Sequence, residues 1–166
     1  MTKSPLAFTR LALDALDIED ERSFRGIALY GDLKAVLKRA GYTFRVLPDS
    51  LAGRWDRALI LNLTYWVAGG DGDVLVDASI PADVVTHAAW HHLAARALET
   101  EPGAPQSAEA LFLGEAIASA FDVYLVGRLV GLAPESSMLE TQVPAMSECA
   151  EAAGLDAAGF DALMQE

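Results

Sequence analysis

The chain has 166 residues, 52% of them apolar and 22% charged, with a formal net charge of −12 and a sequence pI of about 4.5. This length and composition fit one soluble globular domain with a proper core, and they exclude an extensively disordered chain. The acidity argues against nucleic acid and against an anionic membrane surface as partners, because both are bound by clustered Lys and Arg.

Three features bear on the compartment. The single cysteine, Cys149, permits no intramolecular disulfide, which fits a reducing environment. The N-terminal segment has no long apolar stretch, so we expect no signal peptide. The most apolar segment, residues 111–126, contains Glu115 and Asp122 and is short for a bilayer span, so we expect a buried helix there. We therefore expect a cytoplasmic protein without a membrane partner.

The first forty residues are predicted to be helical. Ser4-Pro5 has the composition of a helix start, and Leu13 and Leu16 continue an amphipathic pattern to about residue 17. A second helix is predicted over residues 24–40, ended by Gly41 in a left-handed conformation.

The middle of the chain is predicted to form a small, mostly antiparallel sheet. Residues 42–47 and 58–66 alternate and are rich in β-formers, which is typical of strands. After a glycine-rich turn at residues 69–73, residues 74–77 are expected to return as a partner strand.

The C-terminal half is predicted to be helical. A helix is expected to start at residues 79–81 and to run to about residue 99, and Ser107 caps the next, to about residue 130. One or two helices then cover residues 135–164, interrupted near Pro144 and Gly154. The prediction is therefore one domain, residues 1–166, of the α+β class and mostly helical, in which a small sheet precedes a helix pair.

The first helix of that pair carries all three histidines. His87 and His91 are one helical turn apart, about 40° from each other on one face. On the second helix Glu115 and Asp122 share a face, and they are the only acidic or basic residues between Ala110 and Gly127. Two imidazoles and one carboxylate are the donor set of a three-ligand zinc site, so we predict His87, His91 and Glu115 as metal ligands.

The surroundings of these residues extend the hypothesis. If the two apolar helix faces pack together, Glu115 lies in a poorly solvated place, where a cation removes the cost of a buried carboxylate. Asp122 or Ser119 is then expected to orient a ligand. His92 points about 100° away from His91 and is expected to be exposed or partly packed. The competing interpretation is a hydrogen-bonded cluster without metal.

These motifs resemble a known family. Thr-His-x-x-x-His-x-Leu on one helix, followed by Gly-Glu-Ala-Ile-x-x-Ser on the next, is similar to the gluzincins, the thermolysin-like branch of the zincin metallopeptidases. The resemblance covers about residues 58–130 and implies a zincin-like core. It also implies zinc held by His87, His91 and Glu115, with a peptide or a small molecule as substrate.

The chain departs from this family at Ala88. In the family, the residue after the first histidine is the glutamate that acts as general base for hydrolysis. A methyl group cannot accept a proton, so peptide hydrolysis by that route is expected to be crippled. Three explanations stay open: an engineered substitution, a natural relative that has lost the chemistry, or a different reaction with Asp122 or His92 as base.

Three functional hypotheses follow. The first is a zinc-binding, metallopeptidase-like protein that hydrolyses a peptide or amide in its native or ancestral form. The second is a non-hydrolytic helical metalloprotein with iron or copper at the same ligands. The third is a non-enzymatic acidic interaction domain whose histidines are structural.

Overall fold

A computed structural model describes residues 7–66, 72–99 and 106–164 of the chain. The strands in these ranges are β1 (Thr9–Ala12), β2 (Asp17–Glu19), β3 (Thr43–Val46), β4 (Val74–Leu75) and β5 (Ser79–Pro81). The helices are α1 (Glu21–Phe24), α2 (Ala28–Ala40), α3 (Trp55–Trp66), α4 (Ala82–Ala97), α5 (Ala108–Leu132), α6 (Ser137–Ala152) and α7 (Ala157–Leu163).

The predicted fold class, α+β and mostly helical, is confirmed. The sheet is mixed rather than mostly antiparallel: β1 pairs antiparallel with β3, and β4 pairs with β3 in parallel. β2 and β5 form a separate parallel pair. β5 immediately precedes α4 in the chain and contacts it.

The predicted N-terminal helix is wrong. Residues 9–19 form β1, a 3₁₀ turn at Leu13–Ala15 and β2. Leu13 and Leu16 are both buried, and their three-residue spacing fits the tighter 3₁₀ turn as well as it fits an α-helix. Tertiary pairing of β1 with β3 therefore overrides the amphipathic pattern. The predicted cap at Ser4-Pro5 lies outside the described residues.

The predicted strand at residues 58–66 is also wrong, because this segment is the helix α3. Asn62 on this helix pairs with the backbone of β4: its Nδ2 donates to the Val74 carbonyl at 3.0 Å, and the Val74 amide donates to its Oδ1 at 2.6 Å. One side-chain amide thus makes both bonds that a neighbouring strand would make. Most of the predicted turn at residues 69–73 lies outside the described residues.

Several other predicted elements are confirmed. α2 ends at Gly41, which has a left-handed φ of 63°, and β3 lies within the predicted strand at residues 42–47. Ser107 caps α5 by accepting a hydrogen bond from the amide of Ala110 at 3.2 Å. Gly154 separates α6 from α7, as predicted.

Two predicted helix boundaries are wrong. Pro144 lies inside α6 without ending it, and residues 79–81 form β5 rather than the first turn of α4.

The core centres on α4, which packs most extensively against α5 and also against α2. Val85, Ala88 and Ala89 of α4 are buried, and the Trp90 ring stacks on Phe121 of α5 with centroids 3.7 Å apart. These small and flat side chains let the two helices approach closely, which fixes the relative position of the polar groups that they carry.

α5 is not the fully buried helix that we expected. One of its faces packs on the core, while large apolar side chains such as Phe112 and Tyr124 on the other are exposed. By length and composition alone α5 could cross a membrane, and 22% of its most apolar window is buried. The core helix of a soluble protein passes the same test.

Candidate metal centre

α4 presents two imidazole rings on one face. His87 and His91 lie one turn apart, with ring centroids 4.7 Å apart and their Nε2 atoms separated by 3.0 Å. Both side chains are partly buried, with exposed fractions of 30% and 25%. The helical spacing therefore directs two nitrogen donors to one point.

α5 brings a carboxylate to the same point. Glu115 Oε2 lies 3.1 Å from His91 Nε2, and Glu115 Oε1 lies 3.8 Å from His87 Nε2. Around a tetrahedral zinc with bonds of about 2.0–2.1 Å, neighbouring donor atoms are separated by about 3.3 Å. The separations observed here bracket that value, and a donor atom from each of the three residues lies within 4.8 Å of the other two. His87, His91 and Glu115 could thus hold a metal ion.

Asp122 supports His87 from the side away from this cluster. Its Oδ2 lies 2.9 Å from His87 Nδ1. Because a carboxylate can only accept, Nδ1 carries the proton, and the lone pair of the neutral ring is on Nε2, which faces Glu115 and His91. A histidine held in this way by a carboxylate is the usual arrangement behind a metal-binding imidazole.

The structure differs from the predictions about Glu115 and Ser119. The Glu115 side chain is 46% exposed, so it is better solvated than we expected, and the cost of burying it is not what favours a cation. Ser119 is exposed, and within the described residues no hydrogen bond joins its hydroxyl to the cluster. Of the two residues predicted to orient a ligand, Asp122 is therefore the one that contacts a candidate ligand in the described structure.

The electrostatic environment shifts the pKa values of His87 and His91 in opposite directions. The hydrogen bond from Asp122 raises the pKa of His87 above its ordinary value, against the opposing effect of burial. Burial lowers the pKa of His91, and the neighbouring charge of His87 lowers it further. In the absence of metal, one imidazole thus holds a proton more strongly than usual and the other holds it less strongly.

A cavity of about 830 Å³ opens on the cluster. Its wall contains the three candidate ligands, together with Ala88 and His92. Ala88 is 1% exposed and brings only a methyl group to this wall. The His92 ring packs edge-on against Tyr42, and its Nε2 is buried without a hydrogen-bond partner in the described structure. Burial lowers the pKa of His92, so the ring is neutral near pH 7.

No family model, curated protein or solved structure significantly matches this chain. The geometry of the site is therefore the basis on which its chemistry can be argued.

Sequence reasoning missed two acidic residues near the cluster. Asp83 lies one turn before His87 on α4; burial raises its pKa, and the negative charge of Asp122 acts in the same direction. Asp73 acts on both histidines through its charge, and its Oδ2 accepts a hydrogen bond from the Tyr42 hydroxyl at 3.3 Å. The spacing of Asp83 and His87 on a helix was a usable signal. No local pattern connects Asp73 with residues on α4.

Proposed function

We propose that the chain binds zinc through His87, His91 and Glu115, and that this centre is of the gluzincin type. The observation that carries the proposal is the convergence of three donor atoms within 4.8 Å, with one imidazole held by a carboxylate from behind. Two nitrogens and one oxygen from two packed helices leave a fourth direction open, as in catalytic rather than structural zinc sites.

The residues present fit zinc better than they fit harder cations. Ca²⁺ and Mg²⁺ prefer sites built from oxygen ligands, whereas imidazole suits Zn, Cu, Fe and Ni. When bound, zinc supplies a Lewis acid that polarises a carbonyl group and makes water a stronger acid. Asp122 fixes the tautomer of His87, and Glu115 lies on the more exposed side of the cluster, next to the cavity.

The activity that we propose is hydrolysis of a peptide or amide in the native or ancestral form of the protein. In this chain the activity is weak or absent, because Ala88 provides no group that can accept a proton. The cavity of about 830 Å³ is large enough for a short peptide segment or a small molecule.

Of the two bases considered as alternatives, His92 is better situated than Asp122. Asp122 Oδ2 is engaged with His87 Nδ1, so protonation of this carboxylate would weaken the contact that holds His87. His92 lines the cavity, and burial lowers its pKa, so its neutral ring can accept a proton. If the chain catalyses a reaction of its own, His92 is the residue that we propose as base.

Restoring a carboxylate at position 88 tests the hydrolytic proposal. We expect Ala88→Glu to create or raise zinc-dependent amidase or peptidase activity, measured with a panel of fluorogenic peptides. Ala88→Gln has the same length and no basic oxygen, so it should stay inactive. Circular dichroism and zinc content of both variants would show that fold and metal site are intact.

Each outcome of this experiment discriminates between the functions. If Ala88→Glu binds zinc at one ion per chain and gains no activity, the hydrolytic proposal is wrong. Iron or copper bound in preference to zinc, with a colour and a redox response, would favour the non-hydrolytic metalloprotein. A folded chain that binds none of these metals would favour the acidic interaction domain.

A further inference from the structure

The outer side of α5 carries an apolar surface that the described part of the chain does not cover. Exposed side chains recur on this side through the length of the helix. They are Phe112, Leu113, Val123, Tyr124 and Val130, with Ala116, Ala120 and Gly127 between them. We call these eight residues the α5 outer face. The two acidic residues between Ala110 and Gly127, Glu115 and Asp122, both point to the α4 side, so the middle of this face carries no charge.

The α5 outer face has a pattern of small and large residues. At about 100° per residue, Ala116, Ala120 and Gly127 lie within about 40° of each other along its middle. Phe112, Val123 and Val130 flank them on one side, and Leu113 and Tyr124 on the other. A groove of small residues between large ones lets another helix approach closely.

Gly127 is an independent indication of such an approach. Glycine inside an exposed helix costs about 1 kcal/mol relative to alanine. No described atom lies within 4 Å of the position that a Cβ at Gly127 would occupy, so packing within the chain does not call for a glycine. Close approach by a second molecule would.

A membrane surface is a poor occupant for this face. Helices that lie on membranes carry Lys and Arg on their polar side, whereas this chain has a net charge of −12 and α5 has a single basic residue, Arg128. An acidic residue, Glu109, instead lies in the first turn of the helix, and Glu135 follows its end.

We propose that a second copy of this chain covers the α5 outer face, with the two α5 helices antiparallel and a two-fold axis at Ala120. In such an interface, residues equally far from the axis residue meet across it. Leu113, seven residues before Ala120, then lies over Gly127, seven residues after it. Tyr124 and Ala116, four residues on either side, also meet. A large side chain therefore faces a small one at both levels, and two alanines meet at the axis.

Charges at the ends of the face agree with this register. Arg128 lies eight residues after Ala120 and Glu109 eleven residues before it, so across the axis they are about one helical turn apart and the guanidinium and the carboxylate can pair. A parallel arrangement would instead place Arg128 against Arg128 and Glu109 against Glu109.

The interface is one helix wide, so it falls at the small end of specific interfaces, about 1,200 Å² in total. We therefore expect a dissociation constant in the micromolar range. The proposal does not depend on the metal centre, because the ligands lie on the α4 side of α5.

Sedimentation equilibrium tests the dimer on the full chain of 17.7 kDa, from about 1 to 100 µM. We expect the apparent mass to rise across this range from near that of one chain toward that of two, and Ala120→Glu to be monomeric throughout, because two carboxylates would meet at the axis. Ala152→Glu, at an exposed alanine on α6, is the matched control and should dimerise. A monomeric wild-type chain, or an Ala120→Glu dimer of undiminished affinity, would overturn the proposal.

Cysteine cross-linking tests the register. In a Cys149→Ser background, Ala120→Cys should oxidise to a covalent dimer, because this position faces its own copy. Val130→Cys lies about 30 Å from its copy in the antiparallel arrangement and should not cross-link. Cross-linking through Val130→Cys and not through Ala120→Cys would contradict the register. Flotation of a monomeric chain with neutral phosphatidylcholine vesicles would assign the face to a membrane and refute the dimer.

Discussion

At the scale of single residues, the centre depends on one carboxylate behind one imidazole. Asp122 holds the proton on Nδ1 of His87 and so turns the Nε2 lone pair toward His91 and Glu115. Without that contact the ring could rotate or change tautomer, and one donor would be lost for part of the time. The sequence indicated this role for Asp122 or Ser119 alike, since both lie near Glu115 on the helix. Only their distances to His87 separate them.

Asp122→Asn should therefore weaken zinc binding by about 10–100-fold, as is typical when the partner of a metal-binding histidine is lost. The affinity can be measured by competition with a chromophoric chelator. Ser119→Ala, on the same helix but exposed, should leave the affinity unchanged. Equal affinities for wild type and Asp122→Asn would show that Asp122 does not orient the ligand.

The same contact predicts how the histidines titrate in metal-free protein. Because Asp122 stabilises its charged form, His87 should titrate above the ordinary value of about 6.5, while burial should make His91 and His92 titrate below it. A metal must displace the proton of His87, so apparent zinc affinity should rise as the pH rises through its pKa.

Proton NMR of the three imidazoles, assigned by single substitutions, measures these values directly. Asp122→Asn should lower the pKa of His87, since the carboxylate that raises it is gone. A His87 resonance that titrates below those of His91 and His92 in the wild-type chain would contradict this account of the site.

At the scale of elements, helix ends that are marked by a capping residue could be predicted from the sequence. Some segments without a capping residue could not be assigned correctly. Ser107 and Gly41 mark a helix start and a helix end by local chemistry, and both predictions were confirmed. The alternation in residues 58–66 fits a strand, yet the segment is α3. An apolar run of nine residues is compatible with either period, and the decisive contact is from Asn62 to β4, which no local pattern reveals.

Asn62→Leu should consequently destabilise the fold by about 1–3 kcal/mol, because it leaves the amide and carbonyl of Val74 without partners. Val74 is 2% exposed, so water cannot replace the lost bonds. Urea denaturation followed by circular dichroism gives the free energy of unfolding. Leu59→Ala, at a half-exposed position of the same helix, should change it by no more than about 0.5 kcal/mol. Similar losses in both variants would mean that Asn62 does not hold β4.

At the scale of the whole molecule, the candidate ligands come from two helices that are separate in the chain and packed in the fold. α4 makes its most extensive contact with α5, and the two helices contribute the nitrogen and the oxygen donors respectively. A bound ion would therefore link the two central helices. Zinc at about 100 times its dissociation constant would stabilise the folded chain by about 2.7 kcal/mol if the unfolded chain does not bind it.

The sequence was sufficient to select the three candidate ligands, because helical spacing and the rarity of ionisable groups in α5 are local properties. The closeness of Glu115 to the histidines depends on how α4 and α5 pack, and the contributions of Asp73 and Tyr42 depend on the sheet. Those features required the fold.

The zinc content of the chain is the most direct test of the central claim. Protein purified, stripped with chelator and dialysed against zinc should hold one zinc per chain by mass spectrometry of the element, whereas His87→Ala and Glu115→Ala should each hold none. Full retention of zinc by either folded variant, or a folded wild-type chain that takes up no zinc, would contradict the assignment of His87, His91 and Glu115 as its ligands.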